Sequence, residues 1–129
     1  MSNVYSSKQI SVAIIEDNEA IVDMYEMKLK KEGYKVYIGK DGLAGYEIIE
    51  KYKPDIVLLD LMLPYMNGTE ILRKIRGEEW GKDMHVIIVT NIDRSEAPKE
   101  LNKLNFDRYI VKALTTPHQI IDAIKDITS

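Results

Sequence analysis

Pro54-Asp55-Ile56-Val57-Leu58-Leu59-Asp60-Leu61-Met62-Leu63-Pro64 is a short apolar run bounded by two prolines, and it delivers one carboxylate, Asp60, at its far end. A run this short, rich in Ile, Val and Leu and restarted by Pro54, reads as a strand buried on both faces of a parallel sheet. Asp is rarely buried unless it is paired or bound to a cation, so a carboxylate closing such a strand points to a polar cleft. On this segment alone, a helix cap or a turn residue accounts for Asp60 equally well.

Working outward, four more β-branched runs appear, at residues 10–15, 34–38, 84–89 and 106–111. The first ends at Glu16-Asp17, the third at Thr90-Asn91 and the last at Lys112. Helical patterns alternate with them. Asn18 caps one with Val22, Tyr25 and Leu29 inward and Gly33 as its stop; a second follows Asp41 with Ala44, Ile48 and Tyr52 inward. Asn67-Gly68 turns into a third carrying Ile71, Leu72 and Ile75. A fourth carries Ala97, Leu101 and Leu104, with Pro98 in its first turn. Thr116-Pro117-His118-Gln119 opens a fifth, striped by Ile120, Ile124 and Ile127.

Other features read blandly. Gly39, Gly42 and Gly45 lack the order of spacings of a dinucleotide loop and suit a turn opening a helix. Trp80 is a half-buried plug in a polar loop. His85 is a structural residue opening a strand, and His118 is a solvent-facing first-turn residue.

The chain has 129 residues, 45% of them hydrophobic, which is the size of one domain with a real core. A net charge of -3 and a pI near 5.4 give no footprint for direct nucleic-acid binding. The absence of Cys removes disulfide and thiolate-metal chemistry and fits a reducing compartment, hence a cytoplasmic location. The polar lead, residues 1–9, has the character of neither a signal peptide nor a membrane anchor. Nothing in the sequence after the last helix reads as a linker or an output domain.

Five strands alternating with five helices imply an α/β fold with a parallel sheet covered on both faces. Every strand of such a sheet ends on the same edge, where ligands bind. That edge gathers Glu16, Asp17, Asp60, Thr90 and Lys112, which share only their position at or just past a strand. Three carboxylates side by side repel one another, and a hard divalent cation such as Mg²⁺ relieves that while leaving room for phosphate oxygens. A hydroxyl from Thr90 and the Lys112 ammonium suit an anion. This donor set describes phosphoryl transfer with Asp60 as nucleophile.

At this point the residues resemble the receiver domain of two-component response regulators, of the stand-alone, single-domain type. The resemblance covers residues 10–128 and rests on Glu16-Asp17, Asp60-Leu61-Met62-Leu63-Pro64 with Gly68 after it, Thr90, Tyr109 and Lys112. It implies a flavodoxin-like (βα)5 three-layer sandwich with strand order 2-1-3-4-5. It also implies a phosphorylation-dependent switch, not an enzyme with an external substrate, that accepts a phosphoryl group on Asp60 with Mg²⁺. The donor would be a histidine kinase, a phosphotransfer protein or a small phosphodonor. Asp17, Asp60 and the Met62 backbone carbonyl would be direct metal ligands, and Glu16 would act through water. Thr90 and Tyr109 would be the switch residues. The face of the fourth helix, fifth strand and fifth helix would contact a protein target, with phosphorylation-dependent homodimerisation as a further means of output.

Two positions depart from the family's usual pattern. Ala113 stands where Pro commonly follows the Lys, which predicts a trans Lys112–Ala113 bond. Asn91 stands where a small residue is typical. By the family's geometry, Met62 and Ile92 flank the path of a hydrolysing water, and neither can orient it, so slow loss of phosphate is expected. The alternatives are a receiver-like scaffold that no longer takes phosphate and a Mg²⁺-dependent aspartyl-phosphate hydrolase. The hydrolases place a second Asp two residues after the nucleophile, where this chain has Met62.

Overall fold

The computed structural model describes residues 9–129; most of the polar lead lies outside the described residues. Five strands form one parallel sheet: β1 (Ser11–Ile15), β2 (Lys35–Gly39), β3 (Ile56–Leu59), β4 (His85–Thr90) and β5 (Arg108–Val111), in the order β2-β1-β3-β4-β5. Four α-helices accompany them: α1 (Glu19–Lys31), α2 (Gly42–Tyr52), α3 (Gly68–Gly77) and α4 (Pro117–Thr128). The strand order and the flavodoxin-like layering are those expected.

β1, β3 and β4 are central because their side chains are apolar on both faces, and the two core clusters divide along each strand by alternation. Val12, Ile14, Ile56, Leu58, Ile87 and Val89 face the α1/α4 layer, where they meet Val22, Leu29, Ile120 and Ile124. Ala13, Ile15, Val57, Leu59, Val86 and Ile88 face the α2/α3 layer with Ile49, Ile71, Leu72 and Ile75. Asn18, Asp41, Asn67 and Thr116 cap the four helices, each accepting the backbone N–H of the third helical residue. Thr116 and Gln119 complete a reciprocal capping box.

Two expectations need correction. The inner face of α2 is Gly42, Gly45 and Ile49, one position away from the Ala44, Ile48 and Tyr52 stripe; Tyr52 is exposed and stacks on Tyr37. Glycine makes this rotation possible, because a Cβ on Gly45 would lie 2.4 Å from Ile15 Cγ2 and one on Gly42 1.7 Å from the Met66 carbonyl oxygen. The fourth helix does not form. Its place is taken by two 3-10 turns, Arg94–Glu96 and Lys99–Lys103, with Ala97 extended between them at φ -69°, ψ 152°. Pro98 forces that break, since it offers no N–H and pushes the preceding residue out of the helical region. Ala97 and Leu101 still enter the core, so the apolar spacing marked burial correctly and conformation wrongly.

Trp80 is half-buried against the α2/α3 side with the Lys53 ammonium over its ring, and His85 opens β4 beside Asp107, as expected of structural residues. The fifth predicted helix is α4, with His118 exposed in its first turn. The Lys112–Ala113 bond is trans. Among the described residues no helix is long and apolar enough to cross a membrane.

Candidate functional site

The register of the sheet brings the strand ends together. Ile15 pairs with Leu59, and the Asp60 N–H continues the ladder by donating to the Ile15 carbonyl at 3.1 Å. Glu16 extends β1 toward β2, its N–H on the Gly39 carbonyl at 3.0 Å. Glu16, Asp17 and Asp60 thereby place one carboxylate oxygen each within 4.8 Å of one another. Glu16 and Asp60 are buried, whereas Asp17 is exposed at the mouth.

Lys112 follows the last residue of β5 and turns into this cluster. Its Nζ lies 2.8 Å from Asp60 Oδ2 and 2.5 Å from Glu16 Oε1. The second oxygens are also engaged: the Met62 N–H donates to Asp60 Oδ1 and the Asn18 N–H to Glu16 Oε2, each at 3.0 Å. Both carboxylates are therefore fixed in orientation by one ammonium and one backbone amide apiece. Gly68 packs beneath, its N–H on the Leu61 carbonyl, so close that a Cβ would lie 2.2 Å from the Asp60 carbonyl oxygen.

The charges do not balance. Three carboxylates face one ammonium, and burial pushes the Glu16 carboxyl above its ordinary value, with the Asp60 charge adding to the effect and Lys112 and the Asn18 N–H opposing it. Burial would by itself lower the Lys112 ammonium, but its hydrogen bonds to Asp60 and Glu16 outweigh this and hold it above the ordinary lysine value. An all-oxygen donor set with unbalanced negative charge fits a hard divalent cation.

Thr90 is fully buried as the last residue of β4, paired in register with Val111. Its Oγ1 accepts the Ile92 N–H at 3.5 Å. Tyr109 is half-buried on the α2/α3 side and donates its hydroxyl to the Ile92 carbonyl at 2.6 Å. Met62 exposes its side chain at the cleft mouth, and Asn91 is exposed beyond Thr90.

Sequence reasoning missed Arg94, Arg73 and Arg76, which hold the segment standing where a fourth helix was expected. Arg73 pairs with Glu100, and Arg76 donates to the Leu104, Asn105 and Gly81 carbonyls. Their partners lie 5 to 29 residues away, and no local spacing signals them.

The family model of the response regulator receiver domain matches residues 12–125. Among solved structures, the chain is similar to a CheY-like response regulator receiver domain protein from Methanospirillum hungatei JF-1, at 30% identity over 92% of this chain and 93% of that one, with a TM-score of 0.84. It is similar at 27% identity to a DNA-binding response regulator of the LuxR family from Staphylococcus aureus, over 93% of this chain and 99% of that one, with a TM-score of 0.81. The receiver domain of a sensor histidine kinase from Pseudomonas aeruginosa PAO1, whose structure has a magnesium ion coordinated in the active site cleft, shares the fold at 22% identity, covering 92% and 96% of the two chains with a TM-score of 0.81.

Proposed function

Because the chain belongs to the response regulator receiver domain family, we propose that it is a cytoplasmic signalling switch that takes a phosphoryl group on Asp60 from a histidine kinase or a phosphotransfer protein. The observation that carries this reading is the Lys112 ammonium 2.8 Å from Asp60 Oδ2, beside two further carboxylates. Asp60 is aimed, with one oxygen on the Met62 N–H and the other on Lys112. A carboxylate oxygen attacks phosphorus, the new O–P bond forms as the bond to the donor's imidazole nitrogen breaks, and the imidazole leaves with the electron pair. Lys112 and the Thr90 hydroxyl are the donors that meet the oxygens of the transferred group.

Glu16, Asp17 and Asp60, with the Met62 carbonyl, are the groups that would hold Mg²⁺. When bound, the ion supplies charge neutralisation at the transferring phosphoryl group. Output then passes through the surface formed by the 3-10 segment, β5 and α4, to a protein target or a second copy of the chain.

The test is incubation of the purified chain with acetyl phosphate and Mg²⁺, read by intact mass. One added phosphoryl group is expected on the wild type and none on Asp60→Asn. Equal labelling of the two would remove Asp60 from its role, and no labelling of the wild type by acetyl phosphate or by a panel of histidine kinases would favour the scaffold alternative.

A further inference from the structure

Thr90 and Tyr109 meet on one residue between them. Ile92 gives its N–H to the Thr90 hydroxyl at 3.5 Å and its carbonyl to the Tyr109 hydroxyl at 2.6 Å. The Tyr109 ring also meets Arg94. Its guanidinium carbon lies 5.2 Å from the centroid of Tyr109 and 5.3 Å from that of Phe106, two rings tilted by 60° with centroids 6.2 Å apart. The same guanidinium donates through Nη2 to Asn102 Oδ1 at 2.7 Å. Arg94 belongs to the first 3-10 turn and Asn102 to the second, so one side chain ties both turns and both rings together.

An α-helix would hold its own shape through i→i−4 bonds, but here two short turns are separated by an extended residue, so side-chain contacts, among them the burial of Ala97 and Leu101, place them relative to each other. A planar guanidinium can lie against aromatic faces and donate in its own plane at once, which a lysine ammonium cannot.

We propose that Arg94 is a positioning residue, a latch that holds Tyr109 inward on the Ile92 carbonyl before any phosphoryl group arrives and so pre-sets the segment from Thr90 to Tyr109 for signalling. The position of the ring stands on geometry alone; its consequence for signalling rests on the phosphoacceptor reading above. A ligand that needs the pre-set arrangement binds with an affinity scaled by the fraction of chains already in it. Releasing the latch therefore weakens that ligand.

The experiment uses the full chain labelled with 3-fluorotyrosine, with the Tyr109 fluorine signal identified by its loss in Tyr109→Phe. Without metal, Arg94→Ala is expected to move this signal toward its position in the unfolded chain, Asn102→Ala to move it part of the way, and Arg94→Lys to fail to restore it. With Mg²⁺ and beryllofluoride, Arg94→Ala is expected to bind roughly three- to tenfold more weakly than wild type. A Tyr109 signal unmoved in Arg94→Ala overturns the latch, and a moved signal with unchanged beryllofluoride affinity overturns the pre-setting. A wild type that binds no beryllofluoride refutes the phosphoacceptor reading and the pre-setting with it, while the fluorine signal still decides whether Arg94 holds the ring. Should Arg94→Ala not fold, the exposed Asn102→Ala carries the same measurements.

Discussion

Lys112 reaches across 52 positions of sequence to set its ammonium 2.8 Å from the Asp60 carboxylate, with both side chains nearly buried. The pair is held between β3 and the end of β5, and Glu16 shares the same ammonium. Removing the lysine leaves buried carboxylates facing one another, which costs about 3–5 kcal/mol where a buried pair loses one partner. Lys112→Met is expected to lower stability by that order in urea denaturation without divalent cation, and to recover part of it when Mg²⁺ is added. A variant as stable as wild type in metal-free buffer would show that the pocket is not under charge strain.

Gly68 lies where backbone meets backbone. Its missing Cβ would sit 2.2 Å from the Asp60 carbonyl oxygen and 2.8 Å from Leu61 Cα, neither of which can step aside without moving the site. Gly68→Ala is expected to cost about 1–3 kcal/mol. Gly77, at the end of α3, has nothing within 4 Å of an added Cβ, and Gly77→Ala is expected to be neutral or to stabilise by up to about 1 kcal/mol. Thermal melts of the two variants side by side check the contrast.

Tyr65 adopts φ +69° while 82% exposed, so it carries the strain of the left-handed region without burying its ring. That conformation costs a non-glycine residue about 1–2 kcal/mol, part of which glycine returns as extra freedom in the unfolded chain. Tyr65→Gly is therefore expected to leave stability unchanged or raise it by up to about 1 kcal/mol in chemical denaturation. A clear loss would mean that the ring packs against something essential.

Glu32 closes α1 and meets Lys125 of α4 at 2.6 Å. The Lys125 hydrogen bond and charge hold the Glu32 carboxyl below its ordinary value, and Glu32 holds the Lys125 ammonium above its own. For the depressed carboxyl, the stabilisation is present above the unfolded carboxylate pKa and disappears as pH falls through the folded one. For the raised ammonium, it is present below the unfolded lysine pKa and disappears as pH rises through the folded one. Both charges sit in water, so the contribution is small and screened by salt. A double-mutant cycle of Glu32→Gln and Lys125→Met should show coupling at neutral pH and low salt that vanishes on acidification and in high salt.

The strands were legible because Ile, Val and Leu runs ending in Asp60, Glu16 and Thr90 carry their own periodicity and punctuation, and a parallel sheet then fixes which ends converge. The face of α2 was misread because Gly42 and Gly45 are buried by close approach, which no hydrophobic scale records. Ala97, Leu101 and Leu104 read as a helix since burial on a 3-10 turn leaves nearly the same spacing as burial on an α-helix; only Pro98 carried the opposite message. Arg94 was invisible because its partners Phe106 and Tyr109 are brought to it by the return of β5. The carboxylates and Lys112 stood at strand ends that topology alone can place, whereas the ties around them depend on side-chain directions that topology does not give.

Met62 is 61% exposed beside Asp60, in an open cleft of about 510 Å³ that Asp17, Leu61 and Asn67 also line. If Asp60 takes a phosphoryl group, its lifetime depends on whether a water can be held in line behind phosphorus, and neither the Met62 thioether nor the half-buried Ile92 side chain offers the hydrogen bond that would hold one. Loss of phosphate is then expected to be slow, with resetting of the switch left mainly to a partner. An amide at position 62 adds one such hydrogen bond, worth about 0.5–1.5 kcal/mol, so Met62→Asn should dephosphorylate between about twofold and tenfold faster than wild type in Mg²⁺ buffer. Decay of the phosphorylated chain, followed by intact mass after the donor is removed, gives both rates. A wild type that loses its phosphate as quickly as Met62→Asn would mean that the exposed methionine does not control access of water to the site.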